Sequence, residues 1–134
     1  MKKMILAALM LVCGIALNTA QAQTTEEQKG AEIKFEKVTH NFGTFSEKDG
    51  RQTCTFKFSN VGDKPLIIHQ AMAACGCTVP EYTKKPVMPG EQGEIKVTYD
   101  GTGKKFGAFK KLISVRTNGI VEITRLYIEG VMTE

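Results

Sequence analysis

From Ala31 onward, apolar residues occupy every second position of one short segment after another, and this alternation narrows the possible folds more than any other feature. Ile33 and Phe35 alternate with Glu32, Lys34 and Glu36, and Cys54, Phe56 and Phe58 with Thr53, Thr55 and Lys57. Ile95, Val97 and Tyr99 alternate in the same way with Glu94, Lys96 and Thr98. Successive side chains of a strand point to opposite sides, so each segment reads as a strand with one buried and one wet face. Residues 66–72 and 109–117 are further strands with less regular alternation. Residues 120–131 are rich in β-branched side chains and follow Asn118-Gly119, a pair that favours a two-residue hairpin turn of type I′.

Turn-forming residues separate these segments: Lys48-Asp49-Gly50, Asn60 to Pro65, Pro89-Gly90 and Gly101-Thr102-Gly103. Beyond residue 22, no window of about eleven residues or more carries a helical period. Short strands with regularly spaced turns predict an all-β, antiparallel β-sandwich of about seven strands. The chain has no Trp, which excludes the Cys-Trp-Cys core of antibody domains while leaving an immunoglobulin-like architecture open.

The first 22 residues follow different rules. Lys2 and Lys3 precede an apolar run from Met4 to Leu17, and Ala20-Gln21-Ala22 has the small-x-small form of a cleavage site. A run this short cannot span a bilayer, so residues 1–22 read as a secretory signal peptide. Cys13 lies inside the run behind Val12, where lipid attachment needs a small residue, so it reads as one more apolar residue of the leader. Residues 23–30 contain no strongly apolar side chain and read as a flexible tail, leaving residues 31–134 as the sandwich domain. No second long apolar run exists, so no integral membrane segment is expected after cleavage. The expected location is the periplasm or the outside of the cell, where disulfides persist. Removing the leader with its two lysines lowers the net charge from +4 to +2. Together with export, that small balance argues against nucleic acid as a partner.

Three cysteines then remain, and Ala74-Cys75-Gly76-Cys77-Thr78 is the unusual feature. Two thiols at i and i+2 can clamp a soft cation such as Cu(I), close a small disulfide across Gly76, or pair one member with Cys54. They can also be two small side chains of a tight turn. In an extended strand, residues i and i+2 share a side, so Cys75 and Cys77 are expected to act as a unit. Cys54 shares a face with Phe56 and Phe58 and reads as a core residue. As a zinc site the motif is weak, because only Cys54, His40 and His69 are left to complete four ligands. Both histidines read as structural. No helix is predicted at Cys75, which disfavours enzymatic thiol chemistry of the Cys-x-x-Cys kind. Catalytic patterns such as Gly-x-Ser-x-Gly or His-Glu-x-x-His are missing. Gly101-Thr102-Gly103-Lys104 lies between strands and reads as a turn rather than a phosphate loop, and the lysines at 104, 105, 110 and 111 read as a solvated face.

The blocks running from Phe56 to Ile68, from Cys75 to Pro80, from Pro86 to Glu91 and from Gly93 to Tyr99 resemble the bacterial "domain of unknown function 1573" family. The resemblance spans residues 33–130 and also extends in pattern to major-sperm-protein and Hydin-type domains. It implies an immunoglobulin-like sandwich without an assigned activity, and it carries the family's Cys-x-Cys onto Cys75 and Cys77. The reading is therefore an exported, non-enzymatic immunoglobulin-like module that binds or supports an envelope protein or polymer. The alternative is a thiol- or metal-handling protein using Cys75 and Cys77. Cleavage is expected after Ala22, so N-terminal sequencing of the exported protein should begin at Gln23. A mature form starting at a lipidated Cys13, or one retaining Met1, would be the contrary result.

Overall fold

Ile33–Phe35 do form a strand, and seven more follow in the computed structural model, which describes residues 29–134. The expected leader (residues 1–22) and residues 23–28 of the expected tail lie outside the described residues. The strands are β1 (Ile33–Phe35), β2 (Thr39–Ser46), β3 (Gln52–Asn60), β4 (Ile68–Ala73), β5 (Thr78–Tyr82), β6 (Gln92–Tyr99), β7 (Gly107–Thr117) and β8 (Ile123–Thr133). They build one sheet in the order β1-β3-β6-β5 and a second in the order β2-β8-β7-β4. Lettered in chain order with β1 and β2 as the two halves of strand A, these are the ABED and GFC sheets of the immunoglobulin plan. Among the described residues the only helical element is a 3-10 turn at Glu47–Asp49, capped by the Ser46 side chain.

Three details differ from the sequence reading. First, β2 pairs parallel to β8, so the second sheet is mixed rather than purely antiparallel. The chain passes from β1 to β2 without reversing, and a register shift between Asn41 and Thr44 breaks the alternation that would have revealed the strand. Second, β5 contains Pro80, which a sheet tolerates on an edge strand. Third, the β7–β8 connection is not a two-residue type I′ turn. It spans residues 118–122, and Gly119 is not among the glycines with positive φ. Asn118 is engaged elsewhere: its side chain accepts from Ile67 N at 2.7 Å and donates to Pro65 O at 3.0 Å. Those bonds tie the connection to the segment entering β4, and Ile120 N donates to Ala31 O at 2.9 Å.

The core lies where parity places it. Cys54, Phe56 and Phe58 of β3 and Ile95, Val97 and Tyr99 of β6 face Ile113 and Val115 of β7 and Leu126 and Ile128 of β8. At one end Tyr99 stacks on Phe109 with ring centroids 4.1 Å apart, and Phe45 meets both rings edge-on. Gly93 stands opposite Phe58 across the β3–β6 ladder, and a Cβ there would strike the phenyl ring.

At the other end of the sandwich sits a fully buried Asn60. Its carbonyl oxygen accepts from Glu32 N at 3.3 Å and from Gly62 N at 3.0 Å. Its amide donates to Lys64 O at 2.7 Å and Val87 O at 2.9 Å. The side chain thereby meets its full bonding capacity inside the protein. Gly62 lies so close to the Gly30–Glu32 backbone that a Cβ would collide with main-chain atoms. Gly30 itself donates to Asp63 Oδ1 at 2.7 Å, so tertiary bonding reaches one residue into the segment read as a tail.

These placements predict a graded response in denaturant unfolding. Phe56 is fully buried and Phe56→Ala should cost about 3–5 kcal/mol, whereas exposed Lys57→Ala should stay within about 0.5 kcal/mol. Asn60→Ala strands two N–H groups and two carbonyls, and should cost about 3 kcal/mol or more. Equal effects at positions 56 and 57 would contradict the register.

Candidate functional site

The chain leaves β4 at the edge of the second sheet and enters β5 at the edge of the first through Ala74-Cys75-Gly76-Cys77. The Cys75 and Cys77 sulfurs are joined, with Cα atoms 5.2 Å apart. The geometry is a turn, not the extended strand from which the sequence argument proceeded. Thr78 N donates to Cys75 O at 3.1 Å to close it, and Asp100 N donates to Cys77 O at 2.7 Å to anchor it to the end of β6. Gly76 projects into open space, Cys75 is half-buried and Cys77 is buried.

Each sulfur also has a donor aimed at it. Cys77 N donates to Cys75 Sγ at 3.3 Å, and the Thr78 hydroxyl lies 3.6 Å from Cys77 Sγ. A joined sulfur carries no proton, so the hydroxyl is the donor in that pair. Beside the turn lies a shallow cleft of about 230 Å³ lined by Arg51, Gly76, Cys77, Val79, Glu81, Thr98 and Asp100. Arg51 and Asp100 pair across it at 3.4 Å. Hydrogen bonds from Thr102, first its side chain and then its backbone, hold the Asp100 carboxyl below the usual carboxylate range, with Arg51 adding to the effect.

The remaining sequence candidates are dispersed. Cys54 is a free, buried thiol in the middle of β3, opposite Val97. His40 lies on β2, at the far edge of the second sheet from β4, and packs edge-on against Phe42 at 4.7 Å. Burial, and then the Lys37 charge, lower its pKa. His69 is exposed on β4, and its carbonyl accepts from the Tyr82 hydroxyl at 3.2 Å. Among the described residues no three His, Cys, Asp or Glu side chains converge on a point where a metal ion could sit. A two-thiolate Cu(I) site would require the Cys75–Cys77 pair in its reduced form. Gly101 to Lys104 form a turn closed by Lys104 N donating to Gly101 O at 2.9 Å.

Sequence reasoning did not single out two features. One is Asn60, although it continues the inward parity of Cys54, Phe56 and Phe58 and so could have been read as a buried polar hub. The other is a contrast between the two outer faces. The first sheet shows water Thr53, Thr55, Lys57, Glu94 and Lys96, with Val79 its only large apolar side chain among those exposed. The second shows Met72, Leu112, Ile123 and Val131, each 38–55 % exposed. Tyr127, beneath the Lys110 ammonium, lies opposite Leu112.

The two-sheet arrangement with its split first strand defines an immunoglobulin-like β-sandwich. A family model described as "Protein of unknown function (DUF1573)" matches residues 33–132, and the chain belongs to that family. Similar solved structures include a protein of unknown function from Porphyromonas gingivalis W83, at 16 % identity and a TM-score of 0.65 over 75 % of this chain and 46 % of that one. The ASH / PapD-like domain 7 of human CEP192 has 9 % identity and a TM-score of 0.62 over 78 % of this chain and 87 % of that one. The periplasmic chaperone SfaE has 9 % identity and a TM-score of 0.53, over 75 % and 57 %. The chain thus spans less than half of the Porphyromonas protein, and at these identities the likeness is one of fold. Among curated proteins none matches the chain.

Burial pushes the Cys54 thiol up to about 11 from 9.0, with Lys37 opposing. Between those values the unfolded chain has released a proton that the folded chain retains, so stability falls as pH rises from about 9 to about 11. Tyr99, raised by burial and by Asp100, acts in the same direction. Cys54→Val should flatten this alkaline decline in pH-resolved unfolding. In the unmodified chain, Cys54 should resist alkylation until denaturant is added.

Proposed function

We propose that this β-sandwich is an exported, non-enzymatic module that binds a partner protein in the bacterial cell envelope through the outer face of its second sheet. The observation that carries this reading is the difference between the two outer faces. Isolated exposed apolar residues are ordinary, but Met72, Leu112 and Tyr127 lie side by side across three strands, with Ile123 and Val131 on the same face, opposite a sheet whose outer face is polar. Met72, Leu112, Ile123 and Val131 supply the apolar area. Arg125 lies among them, Lys110 stands opposite Glu129, and Arg116 is engaged by Glu122 at 2.9 Å. The complementary surface is therefore an apolar patch with an acidic group placed to meet Arg125.

Other observations agree with a contact through side chains rather than strand addition. β1 has three residues, β2 carries a register shift, and Pro80 removes a donor from the free edge of β5. Export is supported by the leader-like residues 1–22, and an envelope role by the fold shared with a periplasmic chaperone. Among the described residues, no helix is long and apolar enough to cross a membrane.

The test combines fractionation with site-specific cross-linking in the native bacterium. A photoreactive residue at Leu112 should give a discrete cross-linked envelope protein, and the same residue at Thr55 should not. Retention of the chain in the cytoplasm, or identical products from both positions, would refute the reading.

A further inference from the structure

We infer that the Cys75–Cys77 pair is a thiol–disulfide exchange site, with Cys75 as the entry sulfur and a protein dithiol as its co-reactant. Four observations carry it. The pair sits on an exposed turn at the edge of both sheets, with the glycine between the sulfurs open to approach. Cys75 is the more exposed residue of the pair and Cys77 the buried one, which sets the direction of attack. The 230 Å³ cleft on the Gly76–Cys77 side of the turn, with Val79 half-exposed in its wall, gives an incoming loop a footing next to the bond. Both sulfurs already have a donor in place, Cys77 N for Cys75 and the Thr78 hydroxyl for Cys77. A sulfur in a disulfide is a weak acceptor and a thiolate a strong one, so these donors favour the charged species that exchange creates.

The step balances. A thiolate of the dithiol attacks Cys75 Sγ, a new S–S bond forms to it, and the Cys75–Cys77 bond breaks with its electron pair passing to Cys77 Sγ. The Thr78 hydroxyl receives the leaving thiolate, which then takes a proton. The second thiol of the co-reactant attacks its own partner sulfur and releases Cys75, which also takes a proton. Two electrons and two protons have moved to the pair, the co-reactant leaves as a disulfide, and the reverse sequence reoxidises the site. The fold need not open, because the turn keeps the main-chain bonds of Cys75 O with Thr78 N and of Cys77 O with Asp100 N.

This inference takes from the proposed function only an oxidising compartment, and its test uses purified chain, so a failure of export or of partner binding leaves it standing. The chain, carrying Cys13→Ser so that Cys54, Cys75 and Cys77 are its only cysteines, is equilibrated across a series of glutathione redox buffers, alkylated and weighed intact. Cys54 serves as an internal reporter of folding, since it is buried and free. The expected result is a change from no alkyl group to two within the series, with a third added only in denaturant. No alkylation across the series, or the gain of three groups together, would overturn the proposal. Thr78→Val keeps the shape of the side chain and removes its donor. It should slow reduction by dithiothreitol about tenfold while the mass pattern of the folded chain is unchanged. A rate within about twofold of the unmodified chain would remove Thr78 from the mechanism.

Discussion

One buried amide holds the sandwich in register. Asn60 closes β3, and through four side-chain bonds it fixes the start of β1, the turn after β3 and the segment at Val87 that bridges to Leu66. Burying an amide without partners is costly, so its full satisfaction makes one arrangement of four segments far better than any partial one. Asn118 does a related job at the surface by tying the β7–β8 connection to residues 65–67. Both asparagines act at the same end of the molecule, where the chain crosses from β3 to β4 between the sheets. The opposite end, closed by the Phe45–Tyr99–Phe109 cluster, carries the Cys75–Cys77 turn on its rim.

That division gives the two sheets different work. The first sheet keeps a polar outer face and contributes the deepest aromatic residues inward. The second contributes mostly aliphatic residues inward, with Phe45 and Phe109 at one end, and presents aliphatic residues outward as well. Its two central strands are long and well paired, with ten consecutive partners between β7 and β8, so the apolar outer face rests on the most regular ladder of the molecule. A contact surface built on such a ladder loses little entropy on binding, because its side chains are already held by their cross-strand neighbours.

Parity made most of this legible. Where a strand is antiparallel and unbroken, as in β3 and β6, the sequence alternation and the burial pattern agree residue by residue. It failed at β2, where a bulge around Phe42-Gly43 resets the alternation and the parallel partner lies more than 80 residues away. It failed at Asn118-Gly119, because a local turn preference yields to two tertiary hydrogen bonds worth more than the turn itself. The cysteine motif announced itself by spacing alone, but the donors that face its sulfurs are products of the turn, and no spacing rule encodes them. The apolar outer face was visible letter by letter in residues 112, 123 and 131. Only the assignment of those strands to one sheet turns them into a surface.

The placement of the cysteines reverses the logic of an antibody domain. There, a bridge between strands B and F crosses the core and closes a long loop. Here Cys54 stands on the B strand, β3, but the inward positions of β7 are Phe109, Lys111, Ile113, Val115 and Thr117, so no bridge can cross. The core is large enough to do without it, and burial keeps the lone thiol protonated and unreactive. The bond between Cys75 and Cys77 closes a loop of three residues, for which chain-entropy arguments give about 1.6 kcal/mol, against about 4.7 kcal/mol for a 100-residue loop. A link that restrains so little of the unfolded chain is poorly explained as a staple. Its position on an open turn, with one cysteine half-exposed and a donor facing each sulfur, is what chemistry at that bond requires.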